Sequence, residues 1–186
     1  LSTFEEFSFD KLYEQALCAQ VANQLEMALG LFEKATSLNP THLESWFYLG
    51  DIAQQLDLKE TALNAYQTCI DLQPDCIPAL INGAQVLMGQ DQMKLAGEWL
   101  EKARLLTPED ELLKETFGKF HFEQGQYEKA IAVFATLANQ NKTAPEMFQN
   151  WGMALEAAGK LAEAEVVLKT GLSQFPQNAL LHFHLS

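Results

Sequence analysis

The chain has 186 residues, 48% of them hydrophobic, and a formal charge of −13 with a sequence pI near 4.6. That charge opposes binding to nucleic acid phosphates and to anionic lipid surfaces, and no apolar run is long enough for direct insertion in a bilayer. Basic or neutral protein partners fit it better, and the charge also serves solubility.

The prolines set the organisation. Pro40, Pro74 and Pro108 are spaced by 34; the next step falls on Lys142 and the one after on Pro176. With proline at position 32, five phases follow without insertion or deletion: 9–42, 43–76, 77–110, 111–144 and 145–178. Position 20 is alanine throughout: Ala28, Ala62, Ala96, Ala130 and Ala164. Position 8 is small (Ala16, Gly50, Ala84, Gly118, Gly152), and position 24 is large and apolar (Phe32, Tyr66, Leu100, Phe134, Leu168). A small residue where helices cross lets the backbones approach, and the large one fills the adjoining space. Position 15 holds Asn23, Asp57, Asp91, Gly125 and Gly159, types that tolerate the left-handed conformation ending a helix. Each phase is therefore predicted to be two helices. The first ends near position 15 and the second near the proline, which cannot continue a hydrogen-bonded ladder.

In chain order, residues 1–8 lie outside the phases, and Phe4 and Phe7 are expected either to cap the first helix or to end a preceding element. The first phase is the least regular, with Gln15 at position 7, but its second helix is well marked from Glu26 to about Leu38. The second opens on Thr41 and Glu44, a capping-box signal. The third carries Gly83-Ala84 at positions 7 and 8, and Pro78 in a first turn, where proline is tolerated. The fourth departs most, with Lys114 at position 4, His121 at position 11 and Lys142 for proline. The fifth opens on Thr143 and Glu146, a second capping-box signal. Residues 179–186 begin a sixth helix that is apolar where a terminal helix would be polar. Together with Leu1 in place of Met, this leads to the expectation of an excised piece of a longer chain, or of self-association through the apolar C-terminal end.

The stretch Trp46-x-x-Leu49-Gly50-x-x-Ala53, Ala62-x-x-x-Tyr66, Pro74 resembles one complete tetratricopeptide repeat, and 9–178 repeats it. The resemblance implies an all-α fold: a right-handed α-solenoid of five antiparallel helix pairs plus the start of a sixth. It also implies a concave groove lined by positions 2, 5, 6, 9, 12 and 13 of the first helices. Carried over repeat by repeat, these positions supply a candidate partner-binding groove. Tyr13 and Glu14 come from the first repeat, and Phe47, Tyr48 and Asp51 from the second. Ile81, Asn82, Gln85 and Met88 come from the third, Lys119, Phe122 and Glu123 from the fourth, and Asn150 and Met153 from the fifth. Asp10, Glu44, Glu115, Thr116, Glu146 and Glu156 fall on the same positions. Acids outnumber Lys119, and the aromatic and apolar groups are expected to be exposed, so the expected ligand is a peptide or helix with basic and apolar residues. The Lys, Arg and Asn clamp by which some members hold the acidic tail of heat-shock chaperones is not matched. Nor is the asparagine ladder of the O-linked N-acetylglucosamine transferases, since position 6 reads Glu14, Tyr48, Asn82, Thr116, Asn150.

No nucleophile elbow, phosphate loop, dinucleotide fingerprint or paired metal motif is present, so no catalytic residue, metal or cofactor is expected. His182 and His184 are two apart, on different helix faces. His121 is expected to be a hydrogen-bonded core histidine. Cys18 and Cys69 are expected to be core thiols, and with no C-x-x-C pair a reducing, cytoplasmic setting is expected, or a periplasmic or tethered one if an upstream signal was removed. Asn141-Lys142-Thr143 fits a glycosylation sequon. The reading that follows is a non-catalytic protein-interaction module. Two alternatives stand beside it: the targeting or regulatory domain of a larger enzyme such as a glycosyltransferase or methyltransferase, and a self-associating assembly factor.

Overall fold

The computed structural model describes residues 8–140, 144–178 and 181. Among them are ten α-helices and no strand. They are α1 (Phe9–Val21), α2 (Leu25–Leu38), α3 (Leu43–Gln55), α4 (Lys59–Leu72), α5 (Ile77–Met88), α6 (Met93–Leu106), α7 (Glu111–Glu123), α8 (Tyr127–Asn139), α9 (Pro145–Ala157) and α10 (Leu161–Gln174). The first helix of each pair begins at Phe9, Leu43, Ile77, Glu111 or Pro145, so the 34-residue period of the sequence is also the period of the backbone.

The turn within each pair has one construction. Asn23, Asp57 and Asp91 lie at φ of 56°, 56° and 58°, and Gly125 and Gly159 at 70° and 77°. These are the five position-15 residues, and each reverses the chain in the left-handed region where glycine is unstrained and Asn and Asp are tolerated. The next residue then donates its N–H to a carbonyl five back, as Leu58 does to Ala53 (2.8 Å) and Gln126 to His121 (2.8 Å).

Two of the expected helix caps are built differently. His42, not Thr41, caps α3: its Nδ1 accepts from the Ser45 N–H at 3.2 Å, while Thr41 turns to the Asn39 side chain. The imidazole is held in place by packing edge-on to Phe9 and Tyr13, with centroids 4.7 and 4.9 Å away. Ala144, which has no side chain to offer, caps α9; Thr143 lies outside the described residues. So do Phe4 and Phe7, the sequon Asn141-Lys142-Thr143, His182 and His184, and all of 179–186 except Leu181.

The chain divides into two compact units, Leu1–Trp99 and Leu100–Ser186, the division falling within α6. In the first unit a core of Ala16, Phe32, Leu49, Ile52 and Ala65 joins α1 through α4. Gly50 admits Tyr66: a Cβ there would stand 2.7 Å from the phenol ring. Between α5 and α6 the close approach moves back by one residue, and Gly83 rather than Ala84 makes room, for Trp99, whose ring would lie 2.2 Å from an added Cβ. In the second unit Phe134 lies over Gly118 (2.6 Å) and Leu168 over Gly152 (2.8 Å). There the core runs through Phe134, Leu137, Met147, Phe148, Leu155 and Leu168, and Leu181 closes on it, fully buried. Each of these contacts replaces a missing side chain with an aromatic or leucine face, which is how an interior reaches crystal-like density.

Cys69 is buried, as expected of a small apolar group, and burial pushes its thiol up to about 12. Cys18 is exposed, contrary to its expected place in the core: the packing side of α1 is filled by Leu12, Ala16 and Ala19. No helix among the described residues is long and apolar enough to cross a membrane.

Candidate partner-binding surfaces

In the first unit, the aromatic side chains expected to stand exposed are instead half-buried against one another. Tyr13 stacks on Phe9 (5.8 Å) and meets Phe32 edge-on (6.0 Å). Tyr48 stacks on Phe32 at 5.5 Å, and Phe47 lies against both Tyr48 (6.0 Å) and Tyr66 (6.1 Å). Such ring pairs stabilise beyond their area, by ~0.5–1.5 kcal/mol. They hold Tyr13, Phe47 and Tyr48 against the fully buried Phe32 and Tyr66 while leaving those three partly exposed. Glu14 and Glu44 remain exposed beside them.

Ile81 is not part of any surface. It is 2% exposed, so a partner has no access to it. The cause is α5 itself: Ile-Pro-Ala-Leu-Ile-Asn-Gly-Ala-Gln-Val-Leu-Met has no charged residue and buries seven of its twelve residues, so its covered face is wide and includes Ile81. Asn82, Gln85 and Met88 of the same helix stay half-buried.

A polar seam joins α3 to α5. The Tyr66 hydroxyl, reaching past Gly50, donates to Gln54 Oε1 at 2.9 Å, and Gln54 Nε2 lies 3.5 Å from Gln85 Oε1. Burial, with the Asp51 charge adding to it, pushes the Tyr66 phenol far above its usual range against a hydrogen bond with Asn82. Asp51 accepts from Gln55 Nε2 at 3.0 Å, and burial still raises its carboxyl. Gln54 falls at groove position 12 of the second repeat, whereas Tyr66 was not among the candidate groove residues. Tyr66 belongs to a second helix, and only the glycine at position 8 signals that its hydroxyl can reach the other side.

At the other end of the same helices, an open cleft of about 330 Å³ lies between the starts of α3 and α5. Phe47, Tyr48, Ile77 and Pro78 form its apolar walls, and Glu44 and Asp75 bring two carboxylates. Asp75 comes from the turn before α5.

In the second unit the expected surface residues divide. Lys119 pairs with Glu115 along α7 at 2.8 Å. Phe122 lies against Tyr127 at 5.6 Å and packs on the core, Asn150 and Met153 are half-buried, and Glu123 is exposed. Thr116, at a groove position, is fully buried and donates its hydroxyl to the Leu112 carbonyl at 2.7 Å, as threonine does inside a helix. His121 is half-buried. Its Nδ1 is enclosed without a hydrogen-bond partner, and burial, then the Lys129 charge, lowers its pKa against a hydrogen bond with Gln126. The histidine expected to be satisfied is thus satisfied only in part.

Comparison with known proteins agrees with this architecture. The family model described as the cytochrome c-type biogenesis protein H TPR domain matches residues 26–148, and a tetratricopeptide repeat model matches 121–183. The rat mitochondrial import receptor subunit TOM70 is 28% identical over 162 residues, 87% of this chain and 26% of the receptor. The chain thus spans about a quarter of that relative's length. A tetratricopeptide repeat protein of Parabacteroides merdae superimposes with a TM-score of 0.88 at 15% identity, covering 97% of this chain and 71% of that one. YrrB, described as a TPR protein with an unusual peptide-binding site, does so with 0.68 at 20% identity, covering 96% and 92%. The five 34-residue helix pairs, their left-handed position-15 turns and the two family matches lead to one conclusion: the chain belongs to the tetratricopeptide repeat family.

Proposed function

We propose that the chain is a non-catalytic protein-interaction module that takes a segment of a partner protein bearing basic and apolar side chains. The observation that carries this reading is the cleft of the first unit, where Glu44 and Asp75 face an apolar wall of Phe47, Tyr48, Ile77 and Pro78. A lysine or arginine fits such a place by laying its methylene stem on the rings and its charge between the carboxylates. Asp51, Gln85 and Met88 extend the surface along the same helices. The partly buried, mutually packed rings favour binding, because little side-chain freedom is lost when a ligand arrives. That YrrB is described as binding a peptide, and that TOM70 is an import receptor, is consistent with this use of the fold.

The test is a pull-down from source lysate with the wild-type chain and with a Glu44→Lys, Asp75→Lys variant, read by mass spectrometry, followed by titration of the captured segment. Charge reversal at two exposed acids leaves helical content unchanged and lowers affinity by about tenfold or more, steepest at low salt. Equal affinity for both proteins at low salt rejects the cleft as the site.

A further inference from the structure

The second unit holds a cleft of different chemistry. It has about 350 Å³ between the end of α6, the turn after it, α7 and α8. It arises from the sequence of α7. Positions 4, 7 and 11 of a first helix form a stripe that in the fifth repeat is Phe148, Trp151 and Leu155 and in the third Leu80, Gly83 and Leu87. In the fourth it is Lys114, Phe117 and His121, so two of the three side chains that would close the stripe are ionisable, and the space stays open.

Each wall contributes a separate function. Phe117, Leu113, Pro108 and Val133 are apolar, and the Phe117 ring lies 6.1 Å from the His121 ring at 33°, offering flat faces. Arg104 and Lys114 stand at the rim with Glu101, which leaves one net positive charge among the lining groups of a chain whose formal charge is −13. Arg104 is held by Glu101 at 2.6 Å, and Lys114, 25% exposed, by Glu109, which is 87% exposed. An ion pair with so exposed a partner is worth little and is exchanged readily. The His121 ring lines the cleft beside Phe117 with its Nδ1 enclosed, which makes its resonances a reporter of the site and not a ligand contact.

We propose that this cleft is a binding site for an aromatic monocarboxylate, its ring between Phe117 and the apolar wall and its carboxylate between Lys114 and Arg104. A single net positive charge matches a monoanion better than a dianionic phosphate. A planar carboxylate suits the guanidinium fork. The ligand can be a free small molecule or the C-terminal aromatic residue of a polypeptide, which present the same chemistry.

The experiment is an NMR titration of the chain that follows the His121 imidazole nitrogens. Its probes are phenylacetate, the neutral phenylacetamide, and the peptide Gly-Gly-Phe with free or amidated C-terminus. A saturable shift at His121 is expected with phenylacetate, with binding about tenfold weaker for phenylacetamide. The ratio of phenylacetate to Gly-Gly-Phe affinity tells the free molecule from the chain terminus, and discrimination between the free and amidated peptides supports the site in the second case. Lys114→Phe, which installs the side chain present at the same position in the fifth repeat, fills the cleft and abolishes binding while the helices persist. No saturable shift with any probe, equal binding of acid and amide, or unchanged binding by Lys114→Phe overturns the proposal. The substitution is far in sequence from Glu44 and Asp75, so its outcome is read independently of the peptide cleft.

Discussion

The second and fourth repeats are two versions of one device. Both put a glycine at position 8 under an aromatic ring at position 24, Gly50 under Tyr66 and Gly118 under Phe134, and both turn in the left-handed region at position 15. They differ in the stripe at positions 4, 7 and 11. In α3 it reads Trp46, Leu49 and Ala53, with the Trp46 indole N–H donating to the Pro40 carbonyl at 2.8 Å; in α7 it reads Lys114, Phe117 and His121, and a cleft remains. The difference teaches that the crossing of the two helices defines the repeat. The stripe can be altered without losing the fold, and the place where it is altered acquires polar chemistry.

The comparison can be broken hardest at the crossing. Phe134→Ala removes a fully buried ring and is expected to cost about 3–5 kcal/mol, and Tyr66→Ala a similar amount. Amide exchange monitored in α3–α4 and in α7–α8 would show each loss in its own repeat; a loss under about 1 kcal/mol at either site, well below the range for such truncations, would reject the common device. Gly118→Ala drives a methyl to 2.6 Å from Phe134 and is expected to cost about 1–3 kcal/mol by chemical denaturation, as is Gly50→Ala beneath Tyr66.

Substitutions in the stripe sharpen the contrast in the other direction. Lys114→Phe is expected to raise stability by about 0.5–2 kcal/mol through filling space, whereas Trp46→Lys in α3 lowers it. A smaller effect concerns pH. The folded state holds His121 below the usual histidine pKa, so the unfolded chain binds the proton more readily. Stability from this group is therefore complete above the ordinary histidine value and declines as pH falls from there towards the folded value. His121→Leu should flatten melting temperature against pH in that window, and an unchanged slope would assign it to other groups. Last, alkylation at mildly alkaline pH should modify the exposed Cys18 quickly and leave buried Cys69, its thiol near 12, untouched until the protein unfolds.

Much of this was legible in the residues. The left-handed turns, the helix starts and the glycine–aromatic crossings depend on single-residue requirements that recur every 34 positions, and recurrence exposes them. What stayed hidden depends on neighbours outside the repeat. Groove positions inherited from a family say which way a side chain points, not what covers it. Ile81 is buried because α5, which has no charged residue, packs over a wide face, a signal present in its sequence. Thr116 is buried because its hydroxyl finds a carbonyl in its own helix. His42 displaced Thr41 as a cap because Phe9, some thirty residues earlier, fixes the ring. The second cleft was half legible: Lys114 and His121 stood out as departures, but Glu101, Arg104 and Val133 join them only through packing.

The helix contacts have a kinetic consequence. Within each unit the strongest packing joins helices adjacent in sequence, such as α3 with α4 and α7 with α8, and next neighbours such as α3 with α5 add to it. Such contacts close only short loops, so the entropy lost before the first favourable contact is small. Rapid folding follows, from any pair that forms first and spreads to its neighbour, and on a ribosome each helical hairpin can dock as soon as it emerges, without waiting for residues still to be made.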